Sequence, residues 1–388
     1  MKVFVNNTTA KKIGVYLLSF LVVGYGIVSL IRTIRSLAPD FNVYYFATWD
    51  LLHGISPYGA TNLFTGLGYP PVTTLFFIPL TFFPYFVAQG LWLILSALTI
   101  PLCIFLCLKI LKTKITLPLF FLILSLTLLS FPTKFTLGMG QSNFVAYAIL
   151  LGAFLFSQKD KRVLSGILLG IAVLLKPIFI ILILYFLLQR QWKIVLICLV
   201  TGLVFLSFSL LVYNDVNDYI YYFFTFIPHL ENPAGREVYY NQGSMGFVAR
   251  IIPIISLRSL LNSCLSIATL LGIVFVIVKK RIGALQSFAI FLTLLVLVDS
   301  LSWQHHFVFL LFPFLFLGLI FYKEKNKRKL LLLGIAYALI SVNIKNPGVF
   351  GHFPTILLLS HVFYGALLLL GLCFGSEFAD NKSKRKKS

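Results

Sequence analysis

A chain of 388 residues that is 59% hydrophobic and only 11% charged, with a mean hydropathy of +0.97, is not a soluble globular domain. Apolar runs of the ~20 residues that cross a bilayer recur from end to end, whereas a transmembrane β-barrel would show short alternating segments. The net charge of +21 invites a nucleic-acid partner. Most of the basic residues, however, fall in short gaps beside apolar runs, as the positive-inside rule predicts for cytoplasmic loops, and anionic membrane lipid is partner enough for them.

Lys2, Lys11 and Lys12 precede the first run, Ile13 to Ile34. It is too long for a signal-peptide core and no small-residue cleavage site follows, so it is expected to stay as the first span, with the N-terminus inside. Residues 36–71 then lie outside. This loop holds two of the chain's 11 acids, Asp40 and Asp50, among Tyr44, Tyr45, Trp49, Tyr58 and Tyr69, with Gly54, Gly59, Gly66 and Gly68 between them. Asp40 can cap a short helix running through Trp49 and Leu52 at the outer membrane surface. Val72 to Leu111, broken by Pro79 and Pro84, is a short dip plus one span or a hairpin of two; Lys109, Lys112 and Lys114 favour the first.

Ile115 to Phe131 is the next span, Pro132 to Asn143 an outer loop, and Phe144 to Phe156 a span back to the basic turn at 158–162. Val163 to Leu188 is interrupted by Lys176-Pro177. Proline removes a helix hydrogen bond, and a lysine at mid-membrane costs about 2.5–3.5 kcal/mol, so two half-spans meeting at a polar outer cavity are expected. Ile194 to Tyr213 exits to a second long loop, 214–259, and Leu260 to Val278 returns. The spans Ile282 to Val298, Phe307 to Tyr322, Leu330 to Val342 and Ile356 to Phe374 complete the chain. The fold class is thus all-α: a polytopic integral membrane protein of about twelve transmembrane helices. One integral domain covers 1–380, and the lysine-rich tail 381–388 is expected to be disordered and cytoplasmic.

This topology brings Asp40, Gln141, Asn143, Lys176, Asn241, Gln242, Arg250, His305 and His306 to the outer face or just beneath it, as a cavity there would require. Lys176 either pairs with a carbonyl or acid or serves a substrate phosphate; within an apolar run the functional reading is preferred. Asp50 is turned away from Asp40 by ten residues of helix and reads as structural or solvated. The His305-His306 pair has neither i, i+4 spacing nor carboxylates enough for zinc, and hydrogen bonding to a sugar or phosphate suits it better. Asp215 and Asp218 read as a solvated loop rather than a cation site. The five cysteines lie within apolar runs and read as small core residues. There is no phosphate-binding glycine loop, GxSxG elbow or CxxC pair.

Asp40-Phe41-Asn42-Val43-Tyr44-Tyr45, Gly54 through Pro57-Tyr58, Tyr69-Pro70-Pro71 and Pro79-Leu80 followed by Pro84 form an ordered set of motifs. It continues with Gly140-Gln141-Ser142-Asn143, Gly166…Gly170…Lys176-Pro177, Asn241-Gln242-Gly243-Ser244 and Ser302-Trp303-Gln304-His305-His306. In order and spacing the set resembles glycosyltransferase family 87, the polyprenol-phosphate-mannose-dependent mannosyltransferases of the GT-C architecture. The resemblance implies catalysis on the non-cytoplasmic face of the cell membrane, in keeping with the cytoplasmic termini that the lysine clusters predict. It implies transfer of mannose or another hexose from a polyprenyl-phosphate donor to a lipid or glycan acceptor, with inversion. Asp40 maps onto the essential acid of the first outer loop, as general base. Lys176 and Arg250 would stabilise the leaving phosphate. Gln141, Asn143, Asn241, Gln242, His305 and His306 would hold sugar or phosphate oxygens, and Tyr44, Tyr45 and Trp49 would stack on a pyranose. No nucleotide, metal or other cofactor is implied. The other classes weighed are a secondary transporter or lipid flippase, for which no internal repeat is visible, and a lipid-linked polysaccharide ligase or polymerase.

Overall fold

The computed structural model describes residues 7–58, 67–227 and 239–376. The basic tail 381–388, the part of the first outer loop at 59–66 and the stretch 228–238 of the second lie outside the described residues. Among the described residues the chain is all-helical, with no strand. Among the described residues, five helices are long and apolar enough to cross a membrane: Tyr85–Ile110, Trp192–Tyr213, Leu257–Lys280, Gln304–Lys323 and Thr355–Phe374. A sixth span results if Leu117–Leu129 and Phe131–Met139, bent by 66°, cross together. Asn143–Gln158, Arg162–Leu175, Pro177–Leu188 and Ala284–Val298 are apolar but shorter; at 1.5 Å per residue they fall short of a hydrocarbon core of about 30 Å.

The chain divides into two compact units, one built from Met1–Pro177 and Leu196–Ile227, the other from Ile178–Val195 and Pro228–Ser388. In the first, Asn7–Ile34 packs along Leu117–Leu129, and Tyr85–Ile110 along Asn143–Gln158. Cys103 and Cys107 are buried there, Cys103 Sγ contacting the Phe144 carbonyl at 3.5 Å. Val72 to Leu111 takes the first of its two options: a 3-10 turn at Pro71–Phe76, a one-turn helix at Ile78–Thr81, then the single long helix begun by Pro84.

The expected outer loop after Phe131 is instead largely the helix Phe131–Met139. Pro132 sits in the first turn, where its missing N–H is harmless, and Gly140 ends the helix at φ +70°. The break after Leu175 is as expected. Pro177 bars the helical conformation to the residue before it, and Lys176 adopts φ −143°, ψ 91°.

In the second unit, Ala284–Val298 is buried along most of its length and packs against His361–Phe374 and Ile181–Leu188. Four cysteines are buried, as expected of core residues, but Cys264 is exposed. It rides on Leu257–Lys280, of which only 17% is buried; a helix this apolar presents its surface to lipid, where a thiol is as acceptable as in a core.

Candidate active site

The site of the first unit is built on the helix Pro39–Leu52. Ala38, not Asp40, occupies its N-cap position, and no side chain caps it. The entry into the helix is fixed instead by Gln89: its Oε1 accepts from Ala38 N at 3.1 Å and its Nε2 donates to the Ser36 carbonyl at 2.8 Å. Asp40, in the first turn beside the helix's free N–H groups, has its side chain available for other work.

That work is a contact with Gln141, which sits in the turn just after Phe131–Met139. Gly140 makes the approach possible: a Cβ there would lie 2.7 Å from Phe41 Cβ and 3.0 Å from Ala38 Cβ. Trp92 Nε1 donates to the Gly140 carbonyl at 2.8 Å and holds the turn in place. Gln141 Nε2 donates to Asp40 Oδ2 at 2.5 Å, while its Oε1 accepts from Lys176 Nζ at 2.7 Å and from Tyr44 OH at 2.8 Å. The amide orientation is dictated by its partners, since an ammonium only donates and a carboxylate only accepts. Lys176 Nζ also donates to Tyr69 OH at 2.6 Å and lies 5.1 Å from the centre of that ring.

A cation and an anion are therefore joined through one neutral amide rather than paired directly. Lys176 is only 1% exposed, whereas Asp40 and Tyr69 are partly open. Burial pushes the Asp40 carboxyl up to about 6, against the lowering pull of the Gln141 hydrogen bond and the Lys176 charge. Oδ2 is committed to Gln141; a carboxylate has acceptor capacity to spare for a substrate hydroxyl.

Of the residues singled out in the sequence, Asp40, Tyr44, Gln141 and Lys176 come together. Tyr44 contributes its hydroxyl and not its ring face, which is buried against Phe77 at 4.6 Å. Tyr45 turns the other way, its hydroxyl donating to the Phe83 carbonyl at 2.8 Å and its ring packed on Tyr85. Asn143 is fully buried and donates to Thr136 Oγ1 at 3.2 Å, serving the turn that carries Gln141. Trp49 is exposed and stacks on His53 at 3.8 Å. Sequence reasoning passed over Tyr69 and Gln89; the signal for Tyr69 was its place in the motif Tyr69-Pro70-Pro71. Asp218, read as solvated, is 5% exposed and accepts from Ser56 Oγ at 2.6 Å.

The remaining candidates lie in the second unit, where Asn241, Gln242 and Arg250 bond to main chain. Asn241 bridges Trp303, Gln242 N donates to the Ser302 carbonyl at 2.8 Å, and Gln304 N to the Tyr240 carbonyl at 2.8 Å. Asn241 Nδ2 donates to the Ser300 carbonyl at 2.9 Å, and Gln242 Nε2 to the carbonyls of Tyr239 and Leu359 at 2.6 and 2.7 Å. Arg250 donates to the carbonyls of Asn241 (2.6 Å) and Tyr239 (3.2 Å) and to Ser360 Oγ (2.9 Å). His305 and His306 are buried edge to face, 4.5 Å apart, with His306 Nδ1 4.0 Å from Asp299 Oδ2.

A family model, glycosyltransferase family 87, matches residues 67–313. The match takes in Tyr69, Gln141, Asn143, Lys176, Asn241, Gln242, Arg250, His305 and His306, and begins after the helix that carries Asp40. No curated protein and no solved structure matches the chain. A match over well more than half of the residues, on a chain with membrane-crossing helices, settles the class: the chain belongs to glycosyltransferase family 87 and is a membrane glycosyltransferase.

Proposed function

We propose that the protein transfers a hexose, mannose in the first instance, from a polyprenyl-phosphate donor to a hydroxyl of a lipid or glycan acceptor on the non-cytoplasmic face of the cell membrane. The lysine-bearing turns face the cytosol together with both termini, and the short apolar helices complete about twelve spans. Asp40 is the general base. It takes the proton of the acceptor hydroxyl as that oxygen attacks the anomeric carbon from the side opposite the phosphate, so the linkage inverts and polyprenyl phosphate leaves with the bonding electron pair. No metal or other cofactor takes part in this scheme.

The single observation that carries the reading is the Asp40–Gln141–Lys176 chain of contacts. A carboxylate held near neutrality is a good base at physiological pH, and a buried ammonium supplies a fixed positive field for a leaving phosphate. The amide between them keeps the two charges from neutralising each other. The bonding of Asn241, Gln242 and Arg250 to main chain supports an architectural part for them, and His305 and His306 remain candidates for sugar or phosphate oxygens.

The test is transfer of labelled mannose from its polyprenyl phosphate to membrane lipid by the full-length protein in nanodiscs. The wild type is expected to label a glycolipid and Asp40→Asn to lose the activity while keeping its fold. Unimpaired transfer by that variant would remove Asp40 from the mechanism.

A further inference from the structure

Lys176 is buried to 1% exposure and spends its ammonium on Gln141 Oε1 and Tyr69 OH. A substrate in the outer loop therefore meets Tyr69 first. The phenol oxygen accepts from the ammonium at 2.6 Å, which draws electron density from the O–H bond and strengthens it as a donor. Among the described residues its own proton meets only the Tyr44 hydroxyl oxygen, at 3.5 Å the outer limit of a hydrogen bond, which a phosphate oxygen would outcompete. The neighbouring Tyr44 hydroxyl lies 3.5 Å away and gives its single proton to Gln141. Tyr69 is held in this pose through its main chain, whose carbonyl accepts from Tyr58 OH at 2.9 Å; the Tyr58 ring packs on Tyr221, Tyr222 and Phe226.

The geometry fits the displacement proposed above. An in-line attack with a hydrogen-bonded base separates the base oxygen from the leaving oxygen by about 7 Å. The path from Asp40 through Gln141 and Lys176 to the Tyr69 hydroxyl is at most about 10 Å long. A phosphate oxygen one hydrogen bond from Tyr69 thus falls within reach of a sugar whose acceptor lies on Asp40.

We infer that Tyr69 is a catalytic residue that hydrogen-bonds the phosphate of the lipid-linked donor, and that Lys176 is a positioning residue acting through it. The inference rests on the lipid-phosphate reading of the donor, but it is separable from the sugar chemistry. The Tyr69 hydroxyl gives its proton to a phosphate oxygen as a hydrogen bond only; no proton or bond is exchanged.

Two measurements on the full-length protein in nanodiscs test it. The first is binding of undecaprenyl phosphate and of undecaprenol, followed by tryptophan fluorescence. Tyr69→Phe is expected to weaken the phosphate about 10-fold or more and to leave the alcohol unchanged. The second is mannose transfer at saturating donor, where the same variant is expected to lose about 100-fold in kcat. Phosphate binding that depends on Tyr69 without any mannose transfer by the wild type would sustain this inference and overturn the proposed reaction. Wild-type transfer with Tyr69→Phe unimpaired in both measurements would do the reverse. Equal weakening of phosphate and alcohol would assign Tyr69 to structure and overturn the inference.

Discussion

The two units bury their cations differently. In the first, Lys176 binds side chains, the Gln141 amide and the Tyr69 hydroxyl. In the second, Arg250 binds two backbone carbonyls and the Ser360 hydroxyl, and burial holds its guanidinium down to about 10. Backbone acceptors are set once the fold is made, so a cation spent on them is a strut. Side-chain partners can turn, titrate and exchange one another for substrate atoms, so a cation spent on them can take part in a reaction. Residues that look equally unusual in sequence thus differ in the partners they bind, which is the ground for the roles proposed for them.

The largest effect that would break this comparison is at Asp40. Replacement by Asn should cut transfer at least 1,000-fold, within the range of general-base catalysis. The wild-type rate should fall as pH drops through about 6, because the base must be ionised. Lys176→Met removes a lowering influence, so the same acid limb should move to higher pH. Stability carries the opposite sign. The folded-state value lies above the ordinary 3.8, so burial of the ionised carboxyl destabilises the fold above about pH 6 by at most about 3 kcal/mol. That destabilisation is relieved as pH falls through 6 toward 3.8. Asp40→Asn should therefore melt no lower than wild type at pH 8, which thermal unfolding in nanodiscs measures.

Much of the first unit was legible in sequence. An acid in so fatty a chain marked Asp40, and Pro177 forbade a helix through Lys176, which is why its side chain leaves the helical row for Gln141. What stayed hidden was tertiary. Tyr69 is one aromatic among several in its loop; the motif Tyr69-Pro70-Pro71 marks its place, but its contact arises only by closure across 107 positions onto Lys176. Tyr44 and Tyr45 are adjacent on one helix and so point in different directions, which composition could not divide between site and packing. In the second unit the polar residues were visible, but their main-chain partners were not, because a carbonyl belongs to every residue and leaves no mark in the sequence.

Gly140→Ala should rank next. The new Cβ meets Phe41 Cβ and Ala38 Cβ, atoms too close to their own backbone to move away, and φ +70° disfavours any L side chain. The helix Pro39–Leu52 must shift, and displacement of Asp40 by about 1 Å is expected to lower kcat 10- to 100-fold, read beside a drop in melting temperature. Arg250→Ala should show the other pattern. It takes the guanidinium from the Asn241 carbonyl and leaves the Tyr239 carbonyl with Gln242 Nε2 alone, and a loss of about 2–4 kcal/mol is expected. Activity should fall only in step with the folded fraction, measured by size-exclusion recovery.

The smallest effect lies inside the first unit, where a second carboxylate provides the control. Burial raises the Asp218 carboxyl as it raises Asp40, with the Ser56 hydrogen bond lowering it and Asp215 raising it further. Yet Asp218 receives a hydroxyl, not an amide joined to a cation. An Asn at 218 still offers an oxygen to Ser56 Oγ and removes the destabilisation that an ionised carboxyl brings as pH rises above its folded-state value. Asp218→Asn should change unfolding stability by less than about 1 kcal/mol and flatten its pH dependence, with kcat within twofold of wild type. Asp218→Ala, which deletes the acceptor, should lose about 1 kcal/mol. A collapse of transfer in Asp218→Asn would mean that burial of a carboxylate, and not its link to Lys176 through Gln141, is what marks a reactive acid in this protein.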